Sequence, residues 1–598
     1  MGALQTLFKR YLRKNLPSYL AGTACLLATN YLSVTIPGQI GAAVDVLTTP
    51  EKLSAIQPFV FNIAWMGVAV VVVRSLSRVL FFNPGRDVEY RIRRDLFANL
   101  LHLPPAFYAT QNRGDIISRA SSDITWVRAL IGFGGLQSIN LVFALSLTLW
   151  KMGSISWVLT GITLAPIIVG TVIVQGSIRS WYPMMKKNQE YLADISEHVL
   201  ESLNGVTTIQ GFQAGSAFIR ELKLRNKTWF DNNIQLKLVQ SSILPLVALA
   251  GATSVFLLLY FGGPLLENGT LTVGNIATFI ALLAALVPYM RSLGWMLSTW
   301  QSGRAAADRV LELLDAEPDH PEGTNGQHLS EGVVPNIKVS GLSFAYPDDP
   351  DNNILEDISL DLPAGETLGV FGKTGSGKST LLRVLSRMYA PKRGMITVDG
   401  IDICDLDIYG WRRKLSTVPQ RPFLFSDSVR SNIALGDSDD QERLDKAVSL
   451  ASLTQDLPAL PDGLDTIVGE RGIMLSGGQR QRVALARGLY QGGELILLDD
   501  VLSAVDHENE QRLVKALNNF HERSQPSCLI VSNRISAFRH ADQIVVLDNG
   551  RVVQRGTHGQ LIEEVGLYQD AYLAQKEAGN TDGTAPASST SSQEAKNG

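Results

Sequence analysis

Apolar positions fall into two patterns along the chain. Before about Asp315, long unbroken apolar runs alternate with charged stretches of helical period; after it, short apolar runs stand between glycine-marked turns. Six of the long runs, residues 19–40, 59–82, 133–150, 159–174, 244–262 and 276–296, are candidate membrane spans. A helix needs about 20 residues to cross a bilayer. One such run could sit in a soluble bundle, but six together predict a membrane domain. Only a short turn at residues 151–156 separates the third and fourth, which are expected to form a tight pair. The first run is too long for a cleaved signal peptide, and no small-residue cleavage site follows it.

Charge orients these spans. Lys9, Arg10, Arg13 and Lys14 precede the first; Arg86, Arg91, Arg93 and Arg94 follow the second; Arg179, Lys186 and Lys187 follow the fourth. The opposite loops are short and nearly free of Lys and Arg, so both termini and both long loops are expected in the cytoplasm. Those loops, residues 83–132 and 177–241, keep a helical period, and structureless loops of such length are uncommon. They are expected to be helical extensions of the spans, reversing at Arg113-Gly114-Asp115 and at Gln213-Ala214-Gly215. Short helices at 116–123 and 216–222 would then offer a contact surface to another domain, unless they are plain solvated helix. Arg74, Arg78 and Arg291 lie inside apolar runs, where charge is costly unless it faces a cavity or partner or snorkels out. Arg78 and Arg291 are close enough to the inner ends to snorkel; for Arg74 both readings stand.

The 598 residues exceed what one core accommodates. They divide into a membrane domain (1–315), a linker (316–335), a second domain of α/β pattern (336–576) and a tail (577–598) that has almost nothing to bury and is expected to be disordered. The net charge of -4 gives no hint of a nucleic-acid partner. The three cysteines lack metal-ligand spacing, which argues against a disulfide framework or a zinc site. These patterns, together with a glycine-rich loop at residues 372–379 set between a strand-like run and a helical run, give the fold class: an α-helical six-span transmembrane domain with long cytoplasmic helix extensions, followed by an α/β P-loop ATPase domain.

The second half carries the chemistry. Gly372, Lys373, Thr374, Gly375, Ser376, Gly377, Lys378 and Ser379, with Thr380 after them, follow a strand-like run at 367–371 and open a helical run at 380–389. That strand–loop–helix context is the one a phosphate-binding loop requires. Glycines let successive N–H groups converge on phosphate, and the helix start adds partial positive charge. Lys378 is expected on the outer phosphates and Ser379 on magnesium. A second apolar run, 495–498, ends in Asp499-Asp500, and a buried strand delivering Asp499 beside the loop suits a magnesium ligand. Leu475-Ser476-Gly477-Gly478-Gln479 opens a helix at 480–490 and is either another anion site or a simple helix cap.

Taken in order, the phosphate loop, Gln420 in Val418-Pro419-Gln420, the 475–479 signature, the Asp499 strand and Ser503-Ala504-Val505-Asp506 resemble the ATP-binding-cassette family. Tyr346 resembles the aromatic that stacks on adenine there, and residues 466–472 resemble a segment found in exporters of the family. The spans, the two long loops and Arg113–Gly114–Asp115 onward extend the resemblance over roughly residues 7–575. It implies ATP and Mg2+ as ligands, with Gln420 among the groups around both. It also implies two cassettes closing face to face, so that Ser476 and Gly478 act on the ATP held by a second half-transporter. Closure and release would turn a cavity alternately inward and outward, moving a small hydrophobic or amphipathic substrate through the lipid of a bacterial inner membrane.

Two positions depart from the family pattern. Asp500 stands where Glu usually polarises the attacking water, and Asn533 stands where His is usual. Aspartate is one methylene shorter, and a misplacement of about 1 Å can cost about 100-fold in rate. Asn533 can donate a hydrogen bond but cannot change charge near neutral pH. With the signature intact, the pair implies the slow-site subunit of a heterodimer whose partner supplies Glu and His. A homodimeric exporter with slow ATPase is the alternative within transport, and an ATP-gated channel or regulatory membrane subunit is the alternative of another class.

Overall fold

The structure is a computed structural model and describes residues 2–48, 56–316, 326–330, 332–436, 440–501 and 526–581. It divides into two compact units, Met1–His102 with Arg113–Ala316, and Leu103–Asn112 with Glu317–Gly598.

Among its described residues the first unit is built of helices: α1 (Leu4–Leu47), α2 (Gln57–His102), α3 (Arg113–Ile155), α4 (Trp157–Asn204), α5 (Gly215–Glu267) and α6 (Val273–Leu314). Apolar stretches in α1 to α5 are long enough to cross a membrane; that in α6, Val273–Tyr289, is shorter, so five helices rather than six meet the length among the described residues. At 1.5 Å per residue, the 46, 48 and 53 residues of α2, α4 and α5 reach well beyond a hydrocarbon core of about 30 Å. Only Ser156 separates α3 from α4, and its hydroxyl accepts from Leu159 N to cap the second helix. Arg74 and Arg78 are exposed, while the side chain of Arg291 lies outside the described residues.

The loop helices are placed differently from the sequence expectation. Residues 116–123 and 216–222 belong to the opening turns of α3 and α5. Separate short helices lie one step earlier, at Pro105–Thr110 and Val206–Gly211. In the first loop Pro104 is extended and Pro105 stands at a helix start, where its missing N–H costs nothing, so the break precedes Gly114. In the second, Gln213 adopts φ +52, with Ala214 N bonded to Ile209 O and Gln213 N to Gln210 O, the paired bonds that terminate a helix.

Within this unit α6 is held at both ends. Asp45 of α1 accepts from Gly274 N and Thr272 Oγ1, both at 2.7 Å. At the other end Asn99 Nδ2 donates to Leu313 O at 2.8 Å and Ala316 O at 3.1 Å, while Arg309 makes a two-pronged bond to the buried Asp123. In between, Asn30 Nδ2 donates to Asn140 Oδ1 at 2.8 Å, a polar tie between α1 and α3.

Among its described residues the second unit contains two sheets. The smaller has the order β2-β1-β4-β5, with β1 (Ile337–Ala345), β2 (Asn353–Leu362), β4 (Ile396–Val398) and β5 (Ile401–Asp402) all antiparallel. The larger has the order β10-β9-β3-β8-β7-β6, made of β3 (Thr367–Gly372), β6 (Leu415–Val418), β7 (Leu495–Asp499), β8 (Ser527–Ser532), β9 (Gln543–Asp548) and β10 (Arg551–Gly556). It is parallel apart from β10. Its central strands are buried on both faces, which is why they read as continuous apolar runs rather than alternating ones. The helices that matter below are α7 (Lys378–Leu385), α8 (Gly477–Gln491), α9 (His558–Glu563) and α10 (Leu567–Thr581). The α10 helix continues to Thr581, so the first residues of the expected tail are helical; the rest of the tail, half of the expected linker and Ser503, Ala504, Val505 and Asp506 lie outside the described residues.

Candidate functional site

Three neighbouring parallel strands, β3, β8 and β7, end side by side and deliver the candidate residues from their carboxyl ends, the edge at which open α/β sheets bind ligands. Beyond β3 the chain turns through Gly375 at φ +87 and Gly377 at φ +97, a region that side chains rarely enter. A Cβ on Gly377 would also stand 2.7 Å from Leu355 Cδ2 and 3.0 Å from Ile354 O. The turn therefore needs glycine for both conformation and space, and it places α7 with its N-terminus at the loop.

Lys378 Nζ folds back over this loop, donating to Gly372 O at 2.7 Å and Lys373 O at 2.8 Å. Burial pushes its pKa below the ordinary lysine value, opposed by the nearby Asp500 and Asp499. Ser379 Oγ donates to Asp499 Oδ1 at 2.9 Å, bringing together the two expected magnesium ligands. Burial raises the Asp499 pKa, with the Ser379 bond opposing it and Asp500 adding to it. A hydroxyl and a carboxylate oxygen at this spacing are hard donors of the kind Mg2+ takes alongside phosphate and water, so the residues fit the ion.

Asp500 is 6% exposed and sits at φ +48. Gln420 Nε2 donates to its Oδ2 at 3.2 Å and Ser532 Oγ to its Oδ1 at 3.0 Å, so the expected Gln420 does converge on this site. Asn533 is exposed; its carbonyl accepts from Gln575 Nε2 at 2.9 Å. Tyr346 packs edge-on against Phe344 and Tyr389, with centroids 5.3 and 5.1 Å away, and its hydroxyl lies 3.0 Å from Thr380 Oγ1 and accepts from Arg383 at 3.1 Å. That fixes one aromatic ring near the start of α7. Lys373, Thr374 and Ser376 complete the loop, whose Gly372 would clash with Leu547 O and Ser376 Oγ at 2.5 Å if it carried a Cβ.

Ser476 is the N-cap of α8. Its hydroxyl accepts from Gln479 N at 3.2 Å, and Gln479 Oε1 accepts from Ser476 N at 2.9 Å. This reciprocal cap leaves the hydroxyl proton free to serve an anion, with Gly477 and Gly478 opening the helix. Ser532, Arg383 and Tyr389 take part in the site but were missed at the level of sequence. Ser532 ends an apolar strand and could have been noticed on that ground; the others carry no local signal.

A buried parallel sheet with a glycine loop feeding a helix, a lysine and a strand-end aspartate defines a P-loop ATPase, fused here to a helical membrane unit. Residues 355–503 match the ABC transporter family and residues 19–290 the ABC transporter transmembrane region. The chain is 32% identical over 572 residues to the multidrug resistance-like ATP-binding protein MdlA of Buchnera aphidicola subsp. Schizaphis graminum, covering 95% of this chain and 97% of that one. It is 31% identical over 561 residues to the probable multidrug resistance ABC transporter ATP-binding/permease protein YheI of Bacillus subtilis, covering 93% and 95%. The ATP-dependent lipid A-core flippase of Pseudomonas fluorescens Pf-5 is 31% identical over 553 residues, covering 90% and 88%. A solved bacterial Atm1-family ABC exporter with ATP bound has a TM-score of 0.75 to this chain at 26% identity, covering 95% and 98%. The chain belongs to the ATP-binding-cassette transporter family, an integral membrane domain fused to an ATPase that couples ATP to transport.

Proposed function

We propose that this chain is one half of an ATP-driven exporter that moves a hydrophobic or amphipathic substrate across a bacterial cell membrane by alternating access. Both termini and the ATPase unit face the cytoplasm in this reading, following the Lys and Arg of residues 9–14 and 86–94. Names among the relatives, multidrug resistance-like proteins and a lipid A-core flippase, support a substrate that partitions into lipid.

ATP binds with its base on Tyr346 and its phosphates in the 372–379 loop, where the helix start and Lys378 balance the charge. Ser379 and Asp499, with Gln420 near them, would hold Mg2+, which when bound would supply positive charge to the outer phosphates. Asp500 accepts a hydrogen bond from the attacking water, and Asn533 donates from its amide. Ser476 and Gly478 act on the ATP of the second half-transporter.

The single observation that carries the slow-site reading is the state of Asp500. The short carboxylate has both oxygens engaged, by Gln420 and Ser532, and the side chain of Asn533 is exposed. Such a site holds ATP and turns it over slowly, while the intact signature completes a faster site whose Glu and His come from a different chain. The test is to purify this chain alone and with its partner. Alone, it is expected to lack sustained, substrate-stimulated ATPase activity; a stable dimer with that activity would sink the heterodimer reading in favour of a homodimer. In the mixed complex Asp500→Asn is expected to lower turnover by only about twofold, whereas the matching change at the partner's Glu stops it. Uphill substrate accumulation in vesicles separates either exporter from an ATP-gated channel.

A further inference from the structure

The C-terminal helix α10 is anchored beside the phosphate loop and extends from there to the end of β8. Tyr568 is fully buried; its ring meets Phe371 of β3 edge-on with centroids 5.3 Å apart, immediately before Gly372. Its hydroxyl lies 2.8 Å from His558 Nδ1 of α9, and Gln569 Nε2 donates to Ile562 O at 2.9 Å. Tyr568, Tyr572 and Gln575 recur at helical spacing and share one face.

Gln575 uses both halves of its amide on one backbone segment. Nε2 donates to Asn533 O at 2.9 Å, and Oε1 accepts from Ile535 N at 2.9 Å. β8 ends at Ser532, and the Gln575 amide pairs with the backbone just beyond it as a neighbouring strand would. Inside the turn so held, Arg534 N donates to Ser532 Oγ at 3.1 Å. A hydroxyl has one proton, so Ser532, already accepting from Arg534, is set to donate to Asp500 Oδ1 at 3.0 Å. A continuous line of hydrogen bonds thus leads from α10 to the Asp500 carboxylate.

We propose that Gln575 is a positioning residue of the ATP site: its amide holds the 532–535 turn so that the Ser532 hydroxyl stays aimed at the Asp500 carboxylate, and the C-terminal helix braces hydrolysis at this chain's own site. This rests on the reading of Asp500 as the residue beside the attacking water. A purely structural role for Gln575, docking α10 and nothing more, makes different predictions.

The test uses the full-length chain in its native complex, with Gln575→Ala, Ser532→Ala, the double variant and Asp500→Asn. Conversion of ATP to ADP on this chain alone is followed by quenched photolabelling with an azido-ATP, beside amide hydrogen exchange and the melting temperature. Gln575→Ala is expected to slow conversion about 2- to 10-fold, the range one hydrogen bond spans, with the ATP concentration for half-occupancy unchanged. Exchange in the 532–538 segment rises while that of the 372–379 loop and the melting temperature stay at wild-type values. Ser532→Ala slows conversion by a similar factor, and the double variant is no slower than the slower single one, because both act on one line of contacts. Unchanged conversion in Gln575→Ala, a loss that tracks a fall in melting temperature, or additive losses in the double variant would each overturn the proposal. Wild-type conversion in Asp500→Asn would refute the role given to Asp500 itself, and with it the brace's bearing on hydrolysis.

Discussion

Lys378 spends its ammonium on the carbonyls of its own loop, and burial lowers its pKa, so in the proposed function it would meet phosphate as a desolvated donor rather than a hydrated one. The same competition between burial and partners acts on His558, and there it reaches stability. Burial first, then the charges of Arg539 and His540, hold the His558 pKa below its ordinary value. The groups packed on it from α10 are the Tyr568 hydroxyl and the Tyr572 ring, neither of which stabilises an imidazolium by charge. The unfolded chain therefore binds the extra proton first as pH falls. Stability rises with pH between the folded value and about 6.5, and is lost on acidification through that window. Melting temperatures taken between about pH 7.5 and pH 5.5 are expected to fall for the wild type, and less steeply for His558→Asn, which can still bond the Tyr568 hydroxyl but does not titrate. Equal slopes for the two proteins would remove His558 from the account.

Elements differ in how plainly the sequence announces them. The phosphate loop and the Asp499 strand were legible because everything that defines them is local: a buried run, then glycines or a carboxylate, then a helix. The loop helices were misplaced because Gly114 invited a turn that Pro104 and Pro105 had already made, a contest between two breakers that spacing alone does not resolve. Ser532 and Gln575 were illegible for a different reason, since Gln575 meets Asn533 across 42 positions of chain and no periodic signal marks the pairing. Close approach of helices is likewise a pairwise property. Gly41 of α1 and Gly274 of α6 looked unremarkable in sequence, yet a Cβ on Gly41 would stand 2.0 Å from Thr278 Oγ1 and 2.3 Å from Gly274 O. Backbone cannot yield as a side-chain tip can, so Gly41→Ala is expected to cost about 1–3 kcal/mol, the usual range for overpacking. Thermal unfolding of the full-length protein in detergent checks this against Gly67→Ala, where nothing lies within 4 Å and no comparable loss is expected.

At the scale of the whole molecule, the family's architecture gives one chain two separate duties toward ATP. In the proposed function its phosphate loop holds one nucleotide and its signature serves the nucleotide of the second half, so damage to the two motifs need not be equivalent. The capping role of Ser476 allows the signature to be disabled without unravelling α8. Aspartate is as good an N-cap as serine, so Ser476→Asp keeps the acceptor for Gln479 N while placing negative charge where a phosphate must approach. If this chain carries the slow site, Ser476→Asp is expected to reduce ATPase turnover of the complete transporter by more than about tenfold, because one unpaired charge repulsion at close range exceeds 1.4 kcal/mol in a dry interface. Lys378→Ala, which weakens ATP on this chain's own loop, is expected to reduce it less. Measuring both variants in the same reconstituted complex decides the assignment by their order rather than by either rate alone. The reverse order would place the fast site on Lys378 and Asp500, and equal losses would mean two equivalent sites, as a homodimer requires.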